Sequence, residues 1–510
     1  KRSIERSIDM SKKSSSAKVF KNSIIYAGSG ILLKCFSFFL LPLYTSYLTT
    51  EDYGITSIVN SFLVVSSFIV ALSLYSAVMR FYVDLKDDKE KLKRFYGTIV
   101  VFVLLMGVGA AGILYIFRDI LSRYVFKDMD FYPVILICIL SLVFYCQHAI
   151  YENVLKSQQK AKKYAIISIC YFFLTLFLNV LFVVGFKQGA VGVLLAGLIG
   201  YIVYFLFFII DMMKNDMITF CIDRSLLRDA LKYSIPIIPH NLSTQLAMLI
   251  SKVLIGDAAS LGAVGLYSIA SQFGNIADTI QNYSDTAYSP WLFEQLKEKN
   301  QGYKDVIRGT SKILSAVMGV FFIGIALFAQ DYIILFLDKR YAGSWKMVPL
   351  VVCVFTIKIM YYFYVSVLFY YKKASKLLFI ATLTSSLVNI LLSYLMIPMW
   401  AAYGSIFADT CAMIMRVIII VVISKRYEDI GLRIKDFLIR IAIIVLFIFL
   451  GLFFSYTRFE YEFNGLNFLY KILVVVIYAI TVFIPYRKEI KAFLHRKRNI
   501  RKNDKTVKHI

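Results

Sequence analysis

Apolar runs of about 20 residues, each closed by a charged or turn-rich break, follow one another from residue 22 to residue 485. An α-helix needs about 20 mainly apolar residues to cross the hydrocarbon core of a bilayer, so each run predicts a membrane helix. Fourteen such runs fall near 22–48, 54–79, 96–117, 131–152, 164–185, 190–210, 233–256, 261–289, 309–330, 347–370, 377–397, 402–424, 437–456 and 469–485. The breaks leave no room for a soluble domain. The pattern predicts an all-α polytopic membrane protein with about 14 transmembrane helices.

Composition agrees. Of the 510 residues, 59% are hydrophobic and 17% charged, with a mean hydropathy of +0.70; a soluble protein is nearer half apolar and a quarter charged. The net charge of +25 raises nucleic acid as a partner, and the placement of the charges argues against it. Of the 57 Lys and Arg, 44 lie in the two termini and the alternate loops of one face, nine in the opposite loops and four inside spans beyond their first turns. Positive residues favour the cytoplasmic side, so both termini are expected there. Charge spread over a membrane face is not the compact patch of a nucleic-acid site. The tail HRKRNIRKNDKTVKHI is expected to touch anionic membrane lipid. No short apolar stretch with a small-residue cleavage site opens the chain, so no removable signal peptide is expected. Six of the seven cysteines (Cys35, Cys138, Cys146, Cys170, Cys221, Cys353 and Cys411) lie in apolar runs without ligand spacing, which predicts buried thiols rather than disulfides or a metal site.

The chain also repeats itself. LPLYTSYLTTEDYGITSIVNSF at 41–62 and VLIGDAASLGAVGLYSIASQF at 253–273 share Gly54 with Gly265, Ser57 with Ser268, Ile58 with Ile269 and Phe62 with Phe273, 211 residues apart. GAVGVLLAG at 189–197 echoes AAYGSIFAD at 401–409, and Lys160 and Lys163 echo Lys373 and Lys376. Each echo falls at the same place in a six-helix half. An even number of spans gives the halves one orientation, and parallel repeats of this kind place a substrate site between them. The expected organisation is a basic cytoplasmic arm (1–21), an N-lobe of six spans (22–213), a cytoplasmic linker (214–232), a C-lobe of six spans (233–424), two extra spans (425–485) and a basic cytoplasmic tail (486–510).

LPLYTSYLTTEDYG resembles the first outer turn of polysaccharide-biosynthesis flippases, which favour L-P-x-Y-T-x-x-L followed by Y-G. VGLYSIASQF and DTAYSPWLFEQ at 285–295 resemble the eighth span of the same proteins, and Pro236 and Pro239 of SIPIIPHNLS resemble the start of the seventh. These are the O-antigen and capsule repeat-unit flippases of the multidrug/oligosaccharidyl-lipid/polysaccharide (MOP) exporter superfamily, and the likeness covers residues 18–425. It implies a V-shaped transporter in a bacterial plasma membrane. Such a protein moves an undecaprenyl-diphosphate-linked oligosaccharide from the cytoplasmic to the outer leaflet by alternating access, and it works beside glycosyltransferases and a polysaccharide polymerase. No cofactor is implied beyond a coupling ion, Na⁺ or H⁺. Spans thirteen and fourteen depart from the twelve-helix pattern and are similar to the lipid II flippase and its sporulation relatives, so a peptidoglycan-precursor flippase is the alternative.

Ionisable residues inside a membrane are costly and usually face a cavity. Beyond the first turns, four cations lie within spans: Lys34, Lys252, Lys358 and Arg416. Each sits on a small or polar helical stripe. The first span carries Ser23, Ala27, Gly30, Lys34 and Ser37, and the seventh Asn241, Gln245, Met248 and Lys252. The eighth carries Ser271, Asn275, Asp278, Asn282 and Asp285, and the twelfth Ser405, Asp409 and Arg416. Lys34 and Lys358, with no acid within a turn, are expected to attract a diphosphate, and Asn241, Gln245, Asn275 and Asn282 to bind sugar hydroxyls. Asp278, Asp285 and Asp409 are candidates for ion coupling. Tyr361, Tyr362 and Tyr364 are placed to stack on sugars or to pack. Bland roles exist for several: Lys252 can snorkel or pair with Asp257, Arg416 can pair with Asp409, and Asp278 and Asp285 can sit in water at the cytoplasmic mouth.

Two other classes fit less well. A membrane glycosyltransferase or polymerase needs sizeable outer loops with catalytic groups, and here the longest, near 331–346, holds only Asp331 and Asp338 as acids. His148 and His240 stand alone in apolar context, as satisfied core residues do, and no GxxxxGK[ST] loop for ATP is present. The protein is therefore read as a transporter, not an enzyme. A cation-coupled multidrug antiporter would carry carboxylates inside the first six spans, where this chain carries Lys34.

Overall fold

The computed structural model describes residues 22, 25, 26, 28–127, 129–371, 374 and 377–484. The basic arm 1–21 and the tail 486–510 fall outside the described residues, as do Ser23, Ala27, Lys373 and Lys376. Every described element is helical.

The spans follow the predicted order. The first six are Gly28–Tyr47, Thr50–Val70 with its continuation Leu74–Leu85, Lys89–Ile116, Phe131–Ser157, Ala161–Gly185 and Gly189–Lys214. The seventh and eighth are Ile238–Ala258 and Leu261–Glu298, and the ninth and tenth are Tyr303–Phe336 and Val348–Tyr370. The helix Leu378–Tyr427 comprises the eleventh and twelfth, and Ile434–Thr457 and Gly465–Phe483 complete the set. Among the described residues, eleven helices are long and apolar enough to cross a membrane. One of them, Leu378–Tyr427, supplies two spans. At 50 residues it would reach about 75 Å if straight, and it folds back at Ala401, φ 47°, just after Pro398. The seventh and eighth helices are outside those eleven, because they carry the polar stripes read from the sequence.

Side-chain caps and prolines fix the ends. Thr49 and Asp52 form a reciprocal capping box at the start of the second span, satisfying two of the donors that a helix leaves unpaired. Asp52 also accepts from the backbone N–H of Ala190 at 2.9 Å, where the sixth span begins. Pro239 and Pro349 stand in first turns, where no N–H is missed, and Pro42 opens the segment Leu41–Tyr47 after a break in the first span at Leu40. The second span is interrupted where a continuous run was expected: Leu72 and Ser73 both have left-handed φ, 46° and 53°, which breaks the hydrogen-bond ladder. A short helix, Arg118–Tyr124, occupies the loop after the third span.

Packing divides the chain into two compact units. One runs to Ile269 and includes Phe379–Ala412; the other holds Ala270–Leu378 and resumes at Met413. In the first, the fourth span is central, with the second, third and sixth against it and the seventh against the second. Gln147 on the fourth span is fully buried and donates to the Val100 carbonyl at 3.1 Å. In the second unit, the ninth span is central and contacts the tenth, thirteenth and fourteenth. The last two spans are therefore part of a core. A fully buried pair fastens them: Lys471 Nζ lies 2.7 Å from Asp331 Oδ2 and 2.8 Å from Gln330 Oε1. The sequence reading placed Asp331 in an outer loop. The structure corrects this for Asp331, because the ninth helix runs on past it, and Lys471 lies inside the fourteenth span, as the predicted bounds 469–485 already implied.

The repeat is visible in the backbone. A Cβ at Gly192 would approach the Phe182 carbonyl to 3.1 Å, and one at the matching Gly404 would approach the Met396 carbonyl to 2.3 Å. Both glycines let a span pass close to the end of the one before it.

Candidate functional site

The opening motif and its echo meet each other. A Cβ on Gly54 would lie 2.0 Å from the carbonyl oxygen of Leu261, and a Cβ on Gly265 would lie 2.0 Å from that of Thr50. Thr50 and Leu261 are themselves 211 residues apart, so the contact is reciprocal, as at a two-fold interface. One turn further on, Ser57 Oγ and Ser268 Oγ lie 2.6 Å apart. The second and eighth spans thus touch backbone to backbone near their N-terminal ends, through positions where neither has a side chain.

Lys252 joins this contact from the seventh span. Its Nζ donates to Ser61 Oγ at 2.8 Å and to the Ser57 carbonyl at 3.4 Å. No carboxylate pairs with it among the described residues. The expected pairing with Asp257 does not form, because Asp257 lies 3.6 Å from Lys127. On the same stripe Asn241 donates to Tyr75 at 2.7 Å, and Gln245 is half-buried without a hydrogen bond to a described residue. Lys34 is exposed. Phe36, two residues on, stacks on Phe172 of the fifth span at 5.3 Å. Two helical residues differ by about 200°, so Lys34 points away from that packed side. In the same unit Asp409 accepts from Asn389 at 2.7 Å and from Tyr267 at 3.3 Å, and Ser405 donates to Tyr267.

In the second unit the polar stripe of the eighth span faces the tenth. Lys358 Nζ lies 2.5 Å from Asp278 Oδ1. Tyr362, one turn on, donates to Asn282 Oδ1 at 2.7 Å, and Asn282 donates to Asp278 Oδ2 at 3.2 Å. Lys358 was expected as an unpaired cation; it is paired, because helices 80 residues apart bring Asp278 to it. Lys358 stands ten residues into the tenth span, about 15 Å of rise, which places Asp278 at mid-helix depth rather than at the mouth. Asp285 accepts from Ser366 at 2.8 Å and Ser289 at 3.0 Å, without a cation partner among the described residues. Ser366 is four residues from the end of the tenth span, so Asp285 does lie toward that end. Asn275 makes one long contact, 3.5 Å, to Gln272.

Other expectations are redistributed. Tyr364 is buried and donates to the Leu432 carbonyl, and Tyr362 is hydrogen-bonded to Asn282. His148 packs on Tyr204 at 4.1 Å and Tyr171 at 5.2 Å, whereas His240 is exposed. All seven cysteines are free, but only Cys138 and Cys146 are buried; Cys35 and Cys170 lie on outward helix faces. Among the described residues no three His, Cys, Asp or Glu side chains converge as metal ligands.

Loop electrostatics were not anticipated. Glu428 receives Lys299 at 2.8 Å, Tyr303 at 3.0 Å and Tyr371 at 2.8 Å, tying two other loops of the second unit to one carboxylate. Burial pushes its carboxyl up, yet these hydrogen bonds more than offset that and hold it below the ordinary 4.5. Asp223, which caps the helix Arg224–Ser234, is held below its ordinary range by the Ser225 hydroxyl first, then by the helix N–H groups and Arg94.

Fourteen spans, two of them polar-faced, define a multi-pass helical membrane protein. A profile of the polysaccharide biosynthesis protein family matches residues 19–296, more than half the chain, and the chain belongs to that family. It is 23% identical over 401 residues to a Haemophilus influenzae membrane protein, across 77% of this chain and 91% of that one. Its fold is that of a lipid II flippase, MurJ, in an inward closed conformation: TM-score 0.69 at 17% identity, covering 92% of this chain and 100% of the other. A MATE transporter in complex with MaL6 superposes with a TM-score of 0.56 at 15% identity, over 84% and 96%.

Proposed function

We propose that the protein flips an undecaprenyl-diphosphate-linked oligosaccharide repeat unit from the cytoplasmic to the outer leaflet of a bacterial plasma membrane, for O-antigen, capsule or exopolysaccharide synthesis. Both termini are cytoplasmic in this reading, and the lobes at 22–213 and 233–424 are its moving parts. The observation that carries it is the Lys358–Asp278 pair with Tyr362 and Asn282. An ion pair at membrane depth is weak as a source of stability, and this one retains 16% and 31% side-chain exposure. A diphosphate can replace Asp278 on Lys358, since ammonium groups bind phosphate oxygens well, while Asn275 and Asn282 offer amides to sugar hydroxyls. Asp278, once displaced, is free to take up a proton or a sodium ion, which would couple cargo to a gradient. The Gly54–Gly265 contact supplies an outer closure that must part for release.

A second reading is favoured by one observation: the thirteenth and fourteenth spans are built into the core, and the fold matches a lipid II flippase over its whole length. Both cargoes carry a polyprenyl diphosphate and differ in the sugar. Reconstituted protein should be offered a fluorescent polyprenyl-diphosphate oligosaccharide, a lipid II analogue and a cationic dye. Flipping of the first supports the proposal; flipping of lipid II alone transfers it to wall synthesis. Dye efflux without lipid movement overturns both.

A further inference from the structure

The helix Arg224–Ser234 links the sixth span to the seventh. Leu226, Ala230 and Ser234 are buried, and by this face it packs on Leu74–Leu85 and on the third span, with Tyr233 meeting Phe81 at 6.3 Å. The opposite face is open. At about 100° per residue, Arg224, Arg228 and Lys232 follow one edge of it, and Leu227, Leu231 and Ile235 follow the other. Together they line an open groove of about 450 Å³. No carboxylate pairs with the three cations among the described residues. Asp223 is occupied as the helix cap and lies 3.0 Å from Arg94, and Asp229 points about 100° round the helix from Arg228.

Connectivity sets the depth of this groove. A single 3₁₀ turn, Ile235–Ile237, separates the helix from the seventh span, so the groove ends within one turn of a membrane-crossing helix. Cations beside an apolar rung at that depth match phosphates above acyl chains. The lining offers no amide, hydroxyl or aromatic ring for a sugar, which separates it from a cargo site. We infer that this groove binds an anionic phospholipid of the adjoining leaflet. The phosphate contacts Arg224, Arg228 and Lys232, and one acyl chain lies along Leu227, Leu231 and Ile235. The inference does not depend on what the protein transports.

Full-length protein in detergent, titrated with phosphatidylglycerol or phosphatidylcholine and followed by intact-complex mass spectrometry, tests it. Phosphatidylglycerol should bind at least about tenfold more tightly, given the attraction of each basic residue for an anionic surface. The combined Arg224→Gln, Arg228→Gln, Lys232→Gln variant should lose that preference. Should the triple variant not purify, each single substitution should lower the preference by about threefold. A control with Lys86→Gln, Lys89→Gln and Lys91→Gln removes as many exposed cations nearby and should keep it. An unchanged preference in the groove variant overturns the inference, and so does an equal loss in the control. Displacement of the lipid by inorganic diphosphate at equal potency would also overturn it, by making phosphate alone the ligand. Selective binding of an acidic amphipathic peptide over phosphatidylglycerol would reassign the groove to a protein partner.

Discussion

Lys358 and Lys471 are both lysines at membrane depth, and their surroundings give them opposite roles. Lys358 and its partner Asp278 keep part of their side chains open, whereas Lys471 is 0% exposed and Asp331 6%. Lys358→Ala should therefore reduce flipping by tenfold or more while the protein still inserts and purifies, and Lys34→Ala should do so to a lesser degree; full activity in both removes them from the cargo path. Lys471→Met leaves a buried carboxylate uncompensated, a loss of about 3–5 kcal/mol, read as a large fall in Tm. Adding Asp331→Leu should recover most of that loss. Lys358 was legible in the sequence because a cation in the middle of an apolar run is conspicuous. Its partner was not, since the pairing depends on how two helices 80 residues apart are set against each other. The partner of Lys471 was misread for a different reason: helix ends are poorly marked in an apolar chain, and the ninth helix runs on to Phe336, past Asp331.

At the scale of elements, the repeated turn was the clearest signal in the sequence, but only the structure shows that its two copies touch. Gly54→Ala should clash with the Leu261 carbonyl, since a Cβ there has 2.0 Å, and should shift the protein toward a state open at this end. Accessibility of a cysteine at Ser57 to a membrane-impermeant maleimide would report the shift, and unchanged labelling would contradict it. In the paired Ser57→Cys, Ser268→Cys variant, mild oxidation should form an intramolecular crosslink that stops flipping, and reductant should restore it. The break at Leu72–Ser73 was not legible, because neither residue favours left-handed φ; tertiary packing overrides local preference there.

For the whole molecule, span number, order and the polar character of the seventh and eighth helices were all readable from hydropathy. The ties among loops were not, because they join charged residues that look merely solvated in the sequence. Glu428 is the strongest of these ties. A carboxyl held below its ordinary value stabilises the folded state above that value, and the contribution disappears as pH falls through the folded pKa. Glu428→Gln should thus lower Tm by roughly 2 °C at pH 7, with the two proteins converging as pH falls from the ordinary 4.5 through the lowered folded value; a constant gap would show that charge is not the cause. The reciprocal packing of Gly54 and Gly265 has a consequence for how such a chain can change over time. A duplicated segment is ordinarily free to drift in one copy while the other stays put. Here each copy is the wall against which the other is fitted, so this rung behaves as a miniature homodimer inside one polypeptide, and any side chain gained on one half must be accommodated by the main chain of its twin.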